Sequence, residues 1–286
     1  MNRVRAVGLV PHRDRPAAHA LAREAATWFA NRDVEVRLPA EEAEASGLTE
    51  YATESAAFAK GLDLTLVLGG DGTMLHAVQL VVRDSVPILG VNAGQLGYLE
   101  AIEPDELAEA LPRLASGDYT INERMLLEVS LTHEDETRSE LALNEVVLEK
   151  QQSGHLVRLD LSINGTPFTT YAADGVIVAS PTGSTAYSFS VHGPIVSPAL
   201  RCLILSPISA HMLFDRSLVL AEHEELDFIV GGTRHVVCTM DGRHIGVLVP
   251  GDRVRCQAAA EPLRFVELRP RDFHQILKAK FALPDR

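Results

Sequence analysis

Cysteine is scarce in this sequence. Cys202, Cys238 and Cys256 are an odd set with no Cys-x-x-Cys spacing, which argues against a disulfide framework or a zinc knuckle and for a reducing compartment. Aromatic residues make up only 5% of the chain, with one Trp, so any core must be mostly aliphatic. No apolar run reaches membrane-spanning length, and the opening Met1-Asn2-Arg3-Val4-Arg5 leads into no long apolar core before a small-residue cleavage site. The expected location is the cytoplasm. Basic residues are outnumbered, for a net charge of −13. Nucleic acid and anionic membranes both need a basic footprint, so neither is an expected partner. Much of the acid gathers in Glu41, Glu42, Glu44, Glu50 and Glu54 and again in Glu134, Asp135 and Glu136, which read as solvated faces or loops. Several common enzyme signatures are missing too. There is no Gly-Lys-Ser/Thr of a P-loop, no His-Glu-x-x-His and no Gly-x-Ser-x-Gly, and Leu75 stands where a dinucleotide fingerprint needs its third glycine.

What is present falls into two styles. Residues 4–10, 34–38, 64–68 and 86–91 are short, largely apolar runs, and 17–31, 52–60 and 73–82 have helical spacing or composition. Apolar strands alternating with helices imply a Rossmann-like parallel sheet covered on both faces. From about residue 119 to 269 the helices give way to short strand-like runs, among them 126–131, 145–149, 156–163, 176–179, 226–230 and 235–240. Turn signals such as Asn164-Gly165 and Asp241-Gly242 separate several of them. The fold class expected is therefore an α/β N-terminal domain, 1–118, followed by an all-β domain, 119–269. A helix within 270–286 is expected to pack back on the first domain.

The sharpest feature is Gly69-Gly70-Asp71-Gly72-Thr73, placed where an apolar strand runs into a helix. Glycines let the backbone turn tightly and approach a ligand, and backbone N–H groups at such a turn cradle phosphate. An acid in that setting repels phosphate unless it binds metal or accepts a proton from a nucleophile, and both roles suit phosphoryl transfer. A plain strand-to-helix turn capped by Asp71 explains the same residues. A second feature runs from Asp174 through an apolar strand into Ser180-Pro181-Thr182-Gly183-Ser184-Thr185-Ala186-Tyr187-Ser188. Its hydroxyls and bare backbone can bond a base or ribose, and its tyrosine can pack on a ring. A third, Asn144-Glu145, starts another apolar strand. It is either a base- and ribose-reading pair or a solvent-facing strand end.

Together, and in this order, these features resemble the NAD kinase family. Asn92-Ala93-Gly94-Gln95-Leu96-Gly97-Tyr98-Leu99 is similar to the family's Asn-x-Gly-x-Leu-Gly-Phe-Leu segment, with tyrosine for phenylalanine. Diacylglycerol and sphingosine kinases share the first loop. The acidic balance and the Ser/Thr-rich second loop argue against a lipid kinase, and an intact Asp71 argues against a sensor that has lost catalysis. The resemblance implies an α/β domain, a C-terminal β-sandwich, and transfer of phosphate from ATP or another donor such as polyphosphate to the 2′-hydroxyl of NAD. It implies homodimers or homotetramers in which a second subunit helps complete the NAD site. It casts Asp71 as the group that activates or orients the hydroxyl, with Gly72 approaching the phosphates. Asn144 would bond adenine and Glu145 the ribose hydroxyls, and Asp174 would reach the nicotinamide side. Thr185, Ala186, Tyr187, Ser188, Phe189 and Ser190 would line the pocket. A divalent cation, Mg2+, is implied to offset the triphosphate charge, since little protein cation is evident near the loop. His76 and His155 fall where relatives place ligand-contacting side chains, and a plain surface histidine explains each as well. Ala172 stands where many relatives are basic. Ser190-Val191-His192-Gly193 stands where they often read Ser-Ala-Gly-Gly. Arg243, after the Asp241-Gly242 turn, reads as a hairpin residue.

Overall fold

The structure is a computed structural model that describes residues 3–94, 97–99, 102–270 and 272–284. Gln95 and Leu96 of the 92–99 segment lie outside the described residues. The chain gathers into two units, Met1–Glu123 with Leu263–Arg286, and Arg124–Pro262. The sequence places the boundaries at 118 and 270. Strands Thr120–Arg124 and Leu263–Glu267 are hydrogen-bonded into the sheet of the first unit, which extends it past both points.

The first unit is built on a seven-stranded sheet in the order Ala52–Thr53, Glu35–Pro39, Ala6–Pro11, Leu64–Gly69, Ile88–Asn92, Leu263–Glu267, Thr120–Arg124. The pairs among the first five of these strands are parallel. Every residue of Ala6–Pro11, Leu64–Gly69 and Ile88–Asn92 is buried, which is why these strands read as unbroken apolar runs. Leu9, Leu66, Leu68 and Val91 share one core with Leu21, Ala25 and Phe29 of helix Pro16–Ala30 and with Leu107, Leu111 and Leu114 of helix Leu107–Ser116. Helix Asp71–Val81 buries Met74, Ala77, Val78 and Val81, a stripe at helical spacing.

Two local expectations change. The helix anticipated over 52–60 is a two-residue strand and a single turn, Ser55–Phe58, because Ala52 and Glu54 take extended backbone and Ala52–Thr53 pair with the sheet edge. The acidic run at 41–44 is not wholly a solvated face. It lies on helix Ala40–Ser46, and Glu42 is buried, accepting hydrogen bonds from Arg13 Nε at 2.7 Å and His76 Nε2 at 3.0 Å. Burial pushes the Glu42 carboxyl up, but the His76 and Arg13 hydrogen bonds outweigh it and hold the group below its usual range.

The second unit is a pair of six-stranded antiparallel sheets. One runs Thr166–Ala173, Val157–Ile163, Leu226–Gly231, Arg253–Ala258, Leu127–His133, Glu136–Ala142. The other runs Leu218–Ala221, Cys202–Ile208, Gly175–Ala179, Glu145–Lys150, Val236–Met240, Arg243–Leu248. Inward residues of both form one largely aliphatic core, the arrangement of a sandwich. Val129, Leu159 and Phe228 come from the first sheet, and Leu148, Val178 and Cys238 from the second. The central strands of the second sheet are covered on their outer face as well, where Val147, Ile177, Ala179 and Ile204 pack with Val196.

Candidate functional site

Gly69-Gly70-Asp71-Gly72-Thr73 sits at the end of strand Leu64–Gly69 and opens helix Asp71–Val81, with Gly70 as the N-cap residue. The close approach that needs glycine is at Gly69, where a Cβ would run into the Thr73 side chain; at Gly72 a Cβ would meet open space. None of the three has positive φ. Asp71 does not cap its own helix. Its carboxylate accepts from the Tyr98 N–H, at 3.1 and 3.2 Å to its two oxygens, and from the Leu99 N–H at 3.1 Å. The acid is thus fixed by backbone from the 92–99 segment and not by its own helix. Burial, and then the charge of Asp71, push the Tyr98 phenol up.

Asp71 faces a cavity of about 330 Å3 that the loop shares with His12, Arg15, Gly97 and Lys280. The sequence alone does not reveal these cations. Arg15 is the residue before helix Pro16–Ala30, and its guanidinium donates to the Ala93 carbonyl at 3.4 Å. A Cβ at Gly94 would occupy the space of that guanidinium. Gly94 is itself held by Asn92, whose Oδ1 accepts from the Gly94 N–H at 3.0 Å. Lys280 closes helix Phe273–Lys280, with its ammonium 5.0 Å from the Tyr98 ring centre. His76 lies on the helix that Asp71 opens, but it is not among the cavity's lining residues and bonds Glu42 instead.

In the second unit, Asn144 and Glu145 enter strand Glu145–Lys150, which pairs antiparallel with Gly175–Ala179 so that Glu145 lies opposite Ala179. Their pose is set by Asp241, whose carboxylate accepts from the N–H groups of Leu143 at 2.8 Å, Asn144 at 2.7 Å and Glu145 at 3.2 Å. The sequence marks Asp241-Gly242 only as a turn. Both residues have positive φ, so the turn is there, and the Asp241 carboxylate also holds the backbone of the two candidate residues. Burial pushes Asp241 above the usual carboxylate range, opposed by those three backbone bonds. The loop after strand Gly175–Ala179 packs on the same backbone. The Ser180 N–H donates to the Asn144 carbonyl at 2.8 Å, and a Cβ at Gly183 would fall on the Asn144 backbone.

Several loop hydroxyls are committed inside the protein. Ser180 donates to the Leu143 carbonyl, Ser184 to the Val196 carbonyl, and buried Ser188 lies 3.2 Å from the Ser206 hydroxyl. Thr185 donates to the Thr182 carbonyl at 3.4 Å, and the Ala186 N–H donates to the Gly183 carbonyl at 3.0 Å. Tyr187, Phe189 and Ser190 remain exposed. His192 takes φ 64°, a left-handed conformation that glycine adopts without strain.

Asp174 lies at the far end of the paired strands, where its Oδ1 meets Lys150 Nζ at 2.6 Å. Glu145 and Glu149 share one face of their strand by its two-residue period, roughly 14 Å apart at about 3.4 Å per residue. The Tyr187 phenol feels all three acids: it is pushed up by burial and then by the charges of Glu149, Asp174 and Glu145. The arrangement suits an extended ligand with Tyr187 against its middle. If so, Tyr187→Ala weakens binding of that ligand about tenfold or more and leaves the melting temperature of the free protein nearly unchanged, since Tyr187 is 39% exposed. Calorimetric titration beside a thermal melt checks this; equal damage to both makes Tyr187 a packing residue. His155 lines a cleft with Lys150 of which Tyr187 is not a part.

Glu145 is buried, and its Oε2 has no hydrogen-bond partner among the described residues. Burial pushes its carboxyl up to about 7, the Asp241 charge adds to the shift, and a hydrogen bond from the Tyr187 N–H opposes it. A carboxyl raised in the folded state favours folding while protonated. Its contribution is complete below the unfolded value of 4.5 and is lost as pH rises through about 7. The loss amounts to roughly 3 kcal/mol at about 1.4 kcal/mol per pH unit. Urea unfolding at pH 5 and pH 8 should show this decline in the wild type and a flatter profile in Glu145→Gln. Equal declines would remove Glu145 as the source.

A glycine-rich strand-to-helix loop, with a fixed carboxylate and flanking cations on one cavity, defines a phosphate-transferring α/β enzyme. Family profiles narrow the class: the ATP-NAD kinase N-terminal domain matches residues 7–119 and the ATP-NAD kinase C-terminal domain matches residues 143–268. The chain belongs to the NAD kinase family. It is 40% identical to the NAD kinase of Heliobacterium modesticaldum over 276 residues, 96% of this chain and 97% of that one. It is 38% identical to the NAD kinase of Moorella thermoacetica over 277 residues, 96% and 88% of the two chains. Among solved structures, yeast NADH kinase complexed with NADH aligns with a TM-score of 0.91 at 26% identity, covering 100% of this chain and 90% of that one. An NAD kinase from Archaeoglobus fulgidus in complex with ATP shares the fold at a TM-score of 0.72 and 23% identity, covering 97% and 98%.

Proposed function

We propose that this protein transfers the terminal phosphate of ATP to the adenosine 2′-hydroxyl of NAD, giving NADP and ADP. The observation that carries the reading is the Asp71 carboxylate, tied by Tyr98 and Leu99 and facing a cavity ringed by Arg15, His12 and Lys280. The hydroxyl oxygen forms a bond to the terminal phosphorus as the bond from phosphorus to the departing ADP oxygen breaks, and the hydroxyl proton passes to Asp71. Phosphoryl transfer of this kind asks mainly for positioning and charge neutralisation. Arg15 and Lys280 supply positive charge, and the open space at Gly72 admits a phosphate to backbone N–H groups. Asn144, Glu145, Tyr187 and Asp174 hold the dinucleotide in this reading, with Thr185, Ala186, Phe189 and Ser190 around them.

No group of three His, Cys, Asp or Glu side chains among the described residues is placed to hold a metal ion. Asp71 is the one carboxylate among the described residues lining its cavity, and both its oxygens already accept backbone hydrogens. These residues do not form a metal cage by themselves. A magnesium ion accompanying the reaction would take its ligands chiefly from the donor phosphates. We place the enzyme in the cytoplasm as a homodimer or homotetramer. Three free, buried cysteines support a reducing compartment, and no helix among the described residues is long and apolar enough to cross a membrane.

The test is NADP formation from NAD, ATP and magnesium, read through an NADP-specific dehydrogenase. Arg15→Ala should raise the KM for ATP by roughly ten- to a hundredfold, the scale of a charge-assisted phosphate contact, and leave the KM for NAD nearly unchanged. An unaltered ATP dependence would remove Arg15 from the donor site. No NADP, with polyphosphate as donor too, would overturn the activity.

A further inference from the structure

A cleft of about 350 Å3 opens at the Lys150 end of the second sheet, away from Asn144 and Glu145. Lys150, His155, Arg234 and His235 line it together with Leu156 and with Val157, which is itself buried in the sandwich core. Two glutamine amides and a threonine hydroxyl complete the wall, and no Asp or Glu among the described residues lines it. In a chain of net charge −13, that local excess of positive charge is out of character. The side chains of His155, Arg234 and His235 make no hydrogen bond or ion pair with another described residue. Lys150 does, reaching Asp174 at 2.6 Å.

Arg234, which has no acidic partner among the described residues, and Lys150 give the concavity a positive potential that concentrates anions there, with the imidazoles of His155 and His235 as further polar groups. The volume is that of a small-molecule site. We propose that this cleft binds a phosphate-bearing small molecule and that its occupancy weakens binding of the dinucleotide through the Lys150–Asp174 pair. An anion in the cleft draws Lys150 Nζ away from Asp174. Asp174 then adds its uncompensated charge to Glu145 and Glu149 around Tyr187, an unfavourable setting for a ligand that carries a diphosphate. Reciprocally, NAD held at Asp174 weakens the anion. The coupling rests on the proposed place of Asp174 in the NAD site; anion binding by the cleft does not.

The test uses the full chain, with inorganic pyrophosphate and uridine monophosphate as probes. The site is removed by Arg234→Ala with His235→Ala, both at exposed positions outside the proposed catalytic and dinucleotide-binding groups. Calorimetry should find a pyrophosphate site in the wild type that persists in Arg15→Ala and is lost in the double variant, whose melting temperature is unchanged. Saturating pyrophosphate should raise the Kd for NAD about fivefold or more in the wild type and leave it unmoved in the double variant. Tighter binding of uridine monophosphate than of inorganic phosphate makes a nucleotide the ligand; equal binding makes it the free anion. Retention of the pyrophosphate site in the double variant overturns the site, and an NAD affinity indifferent to bound pyrophosphate overturns the coupling. NADP formation without pyrophosphate is read separately and should be equal in wild type and double variant, so failure of the kinase reading is seen independently.

Discussion

Asp71→Asn is expected to bind NAD almost as the wild type does and to lose roughly two to four orders of magnitude in kcat, the scale of a lost general base. The substitution is informative because it preserves most of the local structure. The Oδ1 atom accepts from both Tyr98 and Leu99, and an amide oxygen can keep those two bonds. What the amide cannot do is accept the hydroxyl proton. A near-normal kcat would show that the carboxylate only orients the hydroxyl. A large rise in the KM for NAD with kcat preserved would instead mean that the 92–99 segment had moved. Stopped-flow single turnovers separate the chemical step from product release.

Asp241→Ala is the second substitution with a large expected effect, and it acts through the backbone. Three N–H groups, those of Leu143, Asn144 and Glu145, would lose their acceptor at once. Each buried donor left unpaired costs about 1–3 kcal/mol. Part of that is offset because burying the Asp241 carboxylate is itself unfavourable, which is why its proton affinity is raised. A net loss of about 3 kcal/mol is expected in urea unfolding, along with about tenfold or more weaker NAD binding as Asn144 and Glu145 lose their pose. Asp241→Asn, with one acceptor oxygen left, should fall between the two. If Asp241→Ala destabilises the fold but binds NAD normally, the pose of Asn144 and Glu145 does not depend on this cap.

How much of this was legible depends on the range of the interactions. Strands such as Leu64–Gly69 announce themselves because burial on both faces demands unbroken apolar residues. The Gly69–Thr73 loop is legible because its residues act on their neighbours. Arg15 and Lys280 were not, since only the fold carries residues from opposite ends of the chain to one cavity. The one hint was Arg15 standing directly before Pro16, a helix-starting position. Glu42 misled for the opposite reason: a run of acids reads as solvated, and only tertiary contact pairs one member with Arg13 and His76. The loop serines were legible as hydroxyls but not as to direction, and Ser180, Ser184 and Ser188 turn inward.

The contact between Gly94 and Arg15 has an evolutionary consequence. A methyl group at 94 would not collide with rigid backbone; it would collide with the tip of a flexible side chain, the Arg15 guanidinium. The fold can absorb that change, but the cavity loses the Arg15 cation and, among the described residues, keeps only Lys280. To selection acting on the enzyme, a mutation at 94 and a mutation at 15 are therefore the same lesion, and the second adds little once the first has occurred. The two positions should show strong epistasis in function while remaining almost additive in stability.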